Sequence, residues 1–116
     1  MNDLAQASCV PCKGGIAPLT DAEIAPLLKQ IADWKVVEVD GIQRLTRSFT
    51  FKDFRAALEF TNAVGELAEL EQHHPDLHLG WGKVAVEVWT HKIRGLHAND
   101  FILAAKADAA FLAQSA

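Results

Sequence analysis

The stretch WKVVEVDGIQRLTRSFT, residues 34–50, decides the fold. WKVVEV (34–39) is rich in β-branched residues, which favour a pleated, half-buried strand. Asp40-Gly41 then supplies two residues that tolerate positive φ, as a two-residue hairpin turn requires. IQRLTRSFT (42–50) makes the return strand. A second hairpin follows later in the chain. LHLGW (77–81) leads into KVAVEVWTH (83–91), with Gly80 and Gly82 flanking Trp81 at the turn. The second strand alternates, Val84, Val86 and Val88 on one face and Ala85, Glu87, Trp89 and His91 on the other.

Helical segments surround the hairpins. Thr20-Asp-Ala-Glu23 reads as a capping box, followed by Ile24, Leu27, Leu28 and Ile31 at helical spacing. Pro26 lies within this helix and removes one backbone donor, so a kink or a late start is expected. Thr50 and Asp53 form a second cap pattern before the longest helix, which runs to about His73. Arg55, Glu59, Asn62, Glu66, Glu69 and His73 share one narrow arc of it. The remaining surface is apolar over roughly twice the stripe of an ordinary surface helix. That excess implies a second partner, and self-association through this helix is the expectation. An Ala-rich helix from about Ala98 to Leu112 completes the order α-β-β-α-β-β-α. Hairpins separated by a helix give an α+β fold, a four-stranded antiparallel sheet with three helices on one face.

The length of 116 residues fits one domain. Residues 1–18 read as a flexible tail and 19–116 as the domain. Half of the residues are apolar and the net charge is −4, with 11 basic and 15 acidic residues and no basic cluster. Nucleic-acid binding by phosphate neutralisation is not favoured. No apolar run approaches the ~20 residues of a bilayer span, and no signal peptide is evident. A soluble cytoplasmic protein is expected. Cys9 and Cys12 form C-x-x-C, but the motif neither follows a strand nor opens a helix. It reads as two thiols of a mobile tail, with a redox pair or half of a zinc site as the alternatives.

Chemistry concentrates in ELEQHHPDLHLGWG, residues 69–82. Glu69 and His73 are four apart on the helix, where a carboxylate can fix an imidazole's tautomer. Pro75 drives His74 out of helical conformation, so the two adjacent rings point in different directions. This suits a grip on a small substrate better than a metal. The i, i+4 histidine pair of H-E-x-x-H is absent. His91 ends the last strand and Asp100 lies in the first turn of the last helix, so all these groups can meet at one sheet edge. Imidazoles have an ordinary pKa of ~6.5 and move protons near neutrality, which favours metal-free general acid-base catalysis. His78 and His97 read as surface or structural histidines.

These residues resemble the signature of the pterin-4a-carbinolamine dehydratases: Glu69, His73-His74-Pro75, Trp81, His91 and Asp100 at fixed spacings. FKDFRAALEFTNAV in the long helix and GLHANDF before the last extend the likeness over most of the chain. The resemblance implies the same α+β fold, dimers through a continuous sheet, and tetramers in some members through the long helix. It implies a hydro-lyase that dehydrates a 4a-hydroxytetrahydropterin to quinonoid dihydropterin. The reaction serves tetrahydrobiopterin recycling after aromatic amino acid hydroxylation, and neither metal nor organic cofactor takes part. His73 and His91 would then be acids at the departing hydroxyl, and His74 would bind the pterin and assist proton loss from N5. Glu69 and Asp100 would support them, and Trp81 would stack on the pterin or pack in the core. Three features depart from the family pattern: Gln72 where many members have Asp, His97 where Ser or Thr often caps the last helix, and the absence of tyrosine. The alternative is a non-catalytic binding, assembly or coactivator-type protein on the same scaffold.

Overall fold

The structure, a computed structural model, describes residues 4–10 and 14–115. Helix α1 (Asp21–Leu28) starts at Thr20 in a complete capping box: the Thr20 hydroxyl accepts from the Glu23 amide, and the Glu23 carboxylate accepts from the Thr20 amide. Pro26 neither delays the start nor breaks the helix, which passes directly into a 3-10 turn, Lys29–Ile31. Strands β1 (Lys35–Val39) and β2 (Ile42–Thr50) pair across Asp40 and Gly41, whose φ values of 54° and 78° are both positive. This is the twist-matched turn that the Asp-Gly pair announces.

Helix α2 (Phe54–Glu71) is capped by the Asp53 carboxylate, which accepts from the Ala56 amide. Strands β3 (Asp76–Gly80) and β4 (Lys83–Val88) form the second hairpin, and α3 (Ala98–Ser115) closes the fold. The sheet order is β1-β2-β4-β3, antiparallel throughout. The two hairpins therefore join through their second strands, and Leu45 sits opposite Val88. The alternation in β4 is realised as burial, since Val84, Val86 and Val88 are buried under the helices with Leu45 and Phe49.

Between sheet and helices lies an aromatic cluster. Phe49 of β2 and Phe51 just beyond it pack on Phe60 of α2 and Phe111 of α3 at ring-centroid distances from 4.6 to 5.5 Å. Trp34 is buried, and its indole N–H donates to Asp108 of α3, as does Arg47 of β2. These contacts tie the middle of α3 to β2 and to the residue before β1. The excess apolar surface of α2 is only partly covered within the chain. Ala57, Phe60, Val64 and Ala68 are buried, whereas Phe54 and Leu70 are exposed.

Residues Leu4–Val10 lie within the segment expected to be a tail. Leu4–Gln6 form a 3-10 turn in which Leu4 is buried against the core, and Leu19 donates its amide to the Leu96 carbonyl. The anchors are long-range, so no local periodicity announces them.

The β3–β4 turn depends on glycine for space. A Cβ on Gly82 would lie 2.9 Å from the Phe51 carbonyl oxygen, while one on Gly80 would meet nothing closer than 3.7 Å. Gly82→Ala is expected to lower unfolding free energy by about 1–3 kcal/mol, and Gly80→Ala to stay within about 0.5 kcal/mol. Urea denaturation checks the pair, and equal midpoints would contradict the packing described.

Candidate functional site

The site begins where α2 stops. Gln72 adopts a left-handed conformation, φ 56°, and its amide turns back to the last turn of the helix. The His73 amide bonds the Ala68 carbonyl at 3.1 Å, the six-to-one bond of a Schellman motif. His73 thus leaves the helix, and the i, i+4 relation with Glu69 is lost. The Glu69–His73 pair expected from spacing is replaced by two others. His74 Nε2 lies 2.5 Å from Glu69 Oε2, both side chains being largely exposed, and His73 Nε2 lies 2.6 Å from Asp100 Oδ1.

Asp100 is fully buried in the first turn of α3. Burial of a carboxylate is costly unless its oxygens are paired, and here each is. Oδ1 faces His73, while Oδ2 accepts from the Thr90 hydroxyl at 2.8 Å and the His97 amide at 2.9 Å. An imidazole N–H donating to Oδ1 assigns the proton to Nε2 of His73 and leaves Nδ1 as the ring atom able to exchange a proton with a ligand. His97 retains the cap that a hydroxyl would supply. Its Nδ1 accepts from the Asn99 amide at 3.0 Å while Asp100 answers its own amide, a capping box with imidazole as acceptor.

His91 is exposed and opens a 3-10 turn, His91–Ile93, after β4. Its ring stacks on Trp89 with centroids 4.2 Å apart and planes 10° from parallel. Trp89 in turn carries the Arg44 guanidinium 3.9 Å from a ring centroid, and Arg44 is paired to Glu87 at 2.9 Å. The stack sets the plane of the His91 ring.

One cleft of about 960 Å³ collects His73, His74, His91 and Trp89, with Cys9 and Val10 on its N-terminal side. Glu69 reaches it through His74, and Asp100 stands behind His73. Trp81 does not line it. It sits at the β3–β4 turn, 70 % exposed, separated from His74 by the length of β3, roughly 17 Å for five extended residues. The cleft aromatic is Trp89, which sequence reasoning placed on the strand face shared with His91 without giving it a role. His78 lies on β3 away from the cleft lining. Among the described residues no three His, Cys, Asp or Glu side chains gather as a metal-binding group. Cys12 lies outside the described residues, so the C-x-x-C reading rests on Cys9 alone. Burial pushes the Cys9 thiol up to about 11, and the charges of Glu71 and Asp100 act in the same direction.

A model of the family described as pterin 4 alpha carbinolamine dehydratase matches residues 17–110. A protein of Chlorobium luteolum is 52% identical over 111 residues, spanning 96% of this chain and 97% of the relative. One of Microcystis aeruginosa is 49% identical over the full length of both. Their names assign both provisionally as pterin-4-alpha-carbinolamine dehydratases. The crystal structure of a transcriptional coactivator/pterin dehydratase from Brucella melitensis aligns with TM-score 0.73 and 34% identity, covering 80% of this chain and 97% of that one. A pterin dehydratase-like RuBisCO assembly factor of the alpha-carboxysome aligns with TM-score 0.59 and 20% identity, over 68% and 89%, a likeness of fold alone.

Two outcomes follow from the site's geometry. Asp100→Ala leaves the His73 ring N–H, the Thr90 hydroxyl and the His97 amide without their acceptor and is expected to cost about 3–5 kcal/mol of stability, against about 1 kcal/mol for Thr90→Val. Denaturation midpoints rank them, and a milder Asp100→Ala would contradict the network. In a Cys12→Ser background the Cys9 thiol stays protonated at neutral pH. Its alkylation by iodoacetamide should remain slow and accelerate only as pH approaches about 11, since the thiolate is the nucleophile. A rate that levels off near pH 8.5 would contradict the buried placement.

Proposed function

The chain belongs to the pterin 4 alpha carbinolamine dehydratase family, and from that premise we propose that it is a hydro-lyase acting on 4a-hydroxytetrahydropterin. The observation that carries this reading is the gathering of His73, His74 and His91 on one cleft, with His73 tied to a buried carboxylate.

The chemistry requires two proton movements. An acid protonates the 4a-hydroxyl, the C4a–O bond breaks, and water leaves with the bonding electron pair. The N5 lone pair closes a C4a=N5 bond, and the N5 proton passes to a base, giving quinonoid dihydropterin. One proton is given and one taken, so the site's proton count is unchanged, and passage of the proton from His74 back to the acid through solvent restores the starting state. His73, through Nδ1, and His91 are the acids at the hydroxyl. To act as the acid His73 carries a proton on each ring nitrogen; Asp100 accepts that of Nε2 and fixes the ring's orientation, which keeps the Nδ1 donor in place. His74, paired to Glu69, binds the pterin and receives the N5 proton. Trp89 keeps the His91 ring at the cleft wall. The reaction, on this reading, uses no metal or organic cofactor.

The broader setting is part of the same proposal. The enzyme works in the cytoplasm as a homodimer or homotetramer and recycles tetrahydrobiopterin after an aromatic amino acid hydroxylase. The exposed Phe54 and Leu70 of α2 support the self-association. A non-catalytic scaffold protein has no need of a paired, buried Asp100 behind an imidazole, so that alternative is the weaker one.

The test is dehydration of synthetic 4a-hydroxytetrahydropterin followed by stopped flow. The chain should accelerate the reaction beyond its spontaneous rate. His73→Ala and His74→Ala should each lower kcat/KM by ~10²–10⁴-fold. No acceleration by the parent chain, or unchanged rates in both variants, would sink the reading.

A further inference from the structure

The family match begins at residue 17, yet part of the cleft comes from before it. Ser8, Cys9 and Val10 line the cleft together with the three imidazoles. The segment is held there by specific bonds. Asn99, which is 2% exposed, accepts from the Val10 amide through Oδ1 at 3.0 Å and donates through Nδ2 to the Val10 carbonyl at 2.7 Å. This is the pairing one strand residue gives another, made by a side chain. Glu71 Oε1 accepts from the Cys9 amide at 2.8 Å, and Lys106 Nζ donates to the Ala5 carbonyl at 3.0 Å. Leu4 is buried, and Ala5, Ala7 and Cys9 pack on the core.

The positions of the anchors matter. Glu71 ends α2 one residue before the left-handed turn that releases His73. Asn99 immediately precedes Asp100. The segment thus docks on the two helix ends between which the His73–Asp100 bond runs. A buried amide side chain costs stability unless both its oxygen and its nitrogen are paired, and in Asn99 both are paired to Val10.

We propose that Leu4–Val10 is a docked strap forming a further wall of the pterin cleft, and that Asn99 is the residue that positions it. The inference rests on the pterin reading above. The strap supplies the Ser8–Val10 edge against which the substrate lies, so its docking sets affinity more than turnover. Asn99 touches the strap and not the reacting atoms, and acts through Val10.

The experiment uses the full chain, with Asn99→Ala and Val10→Pro as variants. Val10 is exposed, so the second removes an anchoring amide without disturbing the core. Hydrogen exchange at Cys9 reports docking. Titration with 7,8-dihydrobiopterin, a stable reduced pterin lacking the 4a-hydroxyl, reports affinity. The expected result is faster Cys9 exchange in both variants and a Kd raised about tenfold, equivalent to about 1.4 kcal/mol. KM for the hydroxypterin should rise in parallel while kcat stays within about twofold, as removal of uniform binding requires. Faster exchange with unchanged Kd would show that the strap docks without forming a wall and would overturn the proposal. Unchanged exchange in both variants would overturn Asn99 as the clamp. Failure of the parent chain itself to bind the pterin would remove the functional reading and this inference together, an outcome seen before any variant is made.

Discussion

The buried carboxylate of Asp100 is the constraint on which the rest of the site depends. It lies at the start of α3, yet its oxygens receive donors from a loop after α2, from Thr90 beyond β4 and from the turn before α3. The carboxylate is therefore where the loop after α2, the loop after β4 and the start of α3 are held together at the cleft. In water it would need none of them. Inside the fold it requires all three, because an unpaired buried oxygen costs more than a made hydrogen bond gains. The same requirement that stabilises the fold leaves His73 with one nitrogen committed and the other available.

Around that point the fold uses small local departures from regular structure. Gln72 ends α2 in a left-handed conformation, and Arg94 does the same after the His91 turn. The first places His73 against Asp100. The second closes the loop in which Thr90 and Gly95 pair, which brings the Thr90 hydroxyl to the same carboxylate. The cleft is thus a meeting of element ends, while the aromatic cluster of Phe49, Phe51, Phe60 and Phe111 packs the opposite end of the sheet against the helices. Rigid elements carry the site, and the groups that face the cleft stand at their termini.

Much of this was legible in residue order. The Asp40-Gly41 turn, the Val84-Val86-Val88 alternation and the Thr20–Glu23 box are local signals, and each corresponds to an element of the fold. The α+β order follows from them. What was not legible depends on tertiary contacts. Nothing in Gln72 marks a position usually taken by glycine, so helical spacing paired Glu69 with His73, whereas the folded chain pairs it with His74. Trp81 and Trp89 are alike as letters. Spacing places the first at a turn and the second on the face of His91, but only the folded hairpin shows that the turn stands away from the cleft and that Trp89 lines it. The strap has no period of its own, and its partners Glu71, Asn99 and Lys106 are 62 to 101 residues away. His97 stands where a hydroxyl often caps this helix, and although imidazole is not among the usual capping side chains, its Nδ1 accepts the Asn99 amide in that place.

The central claim is that three imidazoles, one braced by Asp100, surround one pterin ring. A crystal structure of the chain with a stable dihydropterin tests it most directly. The account predicts the C4a–N5 edge of the ring within hydrogen-bond reach of the His73, His74 and His91 side chains, with His73 still bonded to Asp100. A pterin bound elsewhere, or seated in the cleft with its C4a–N5 edge turned away from all three rings, would contradict it.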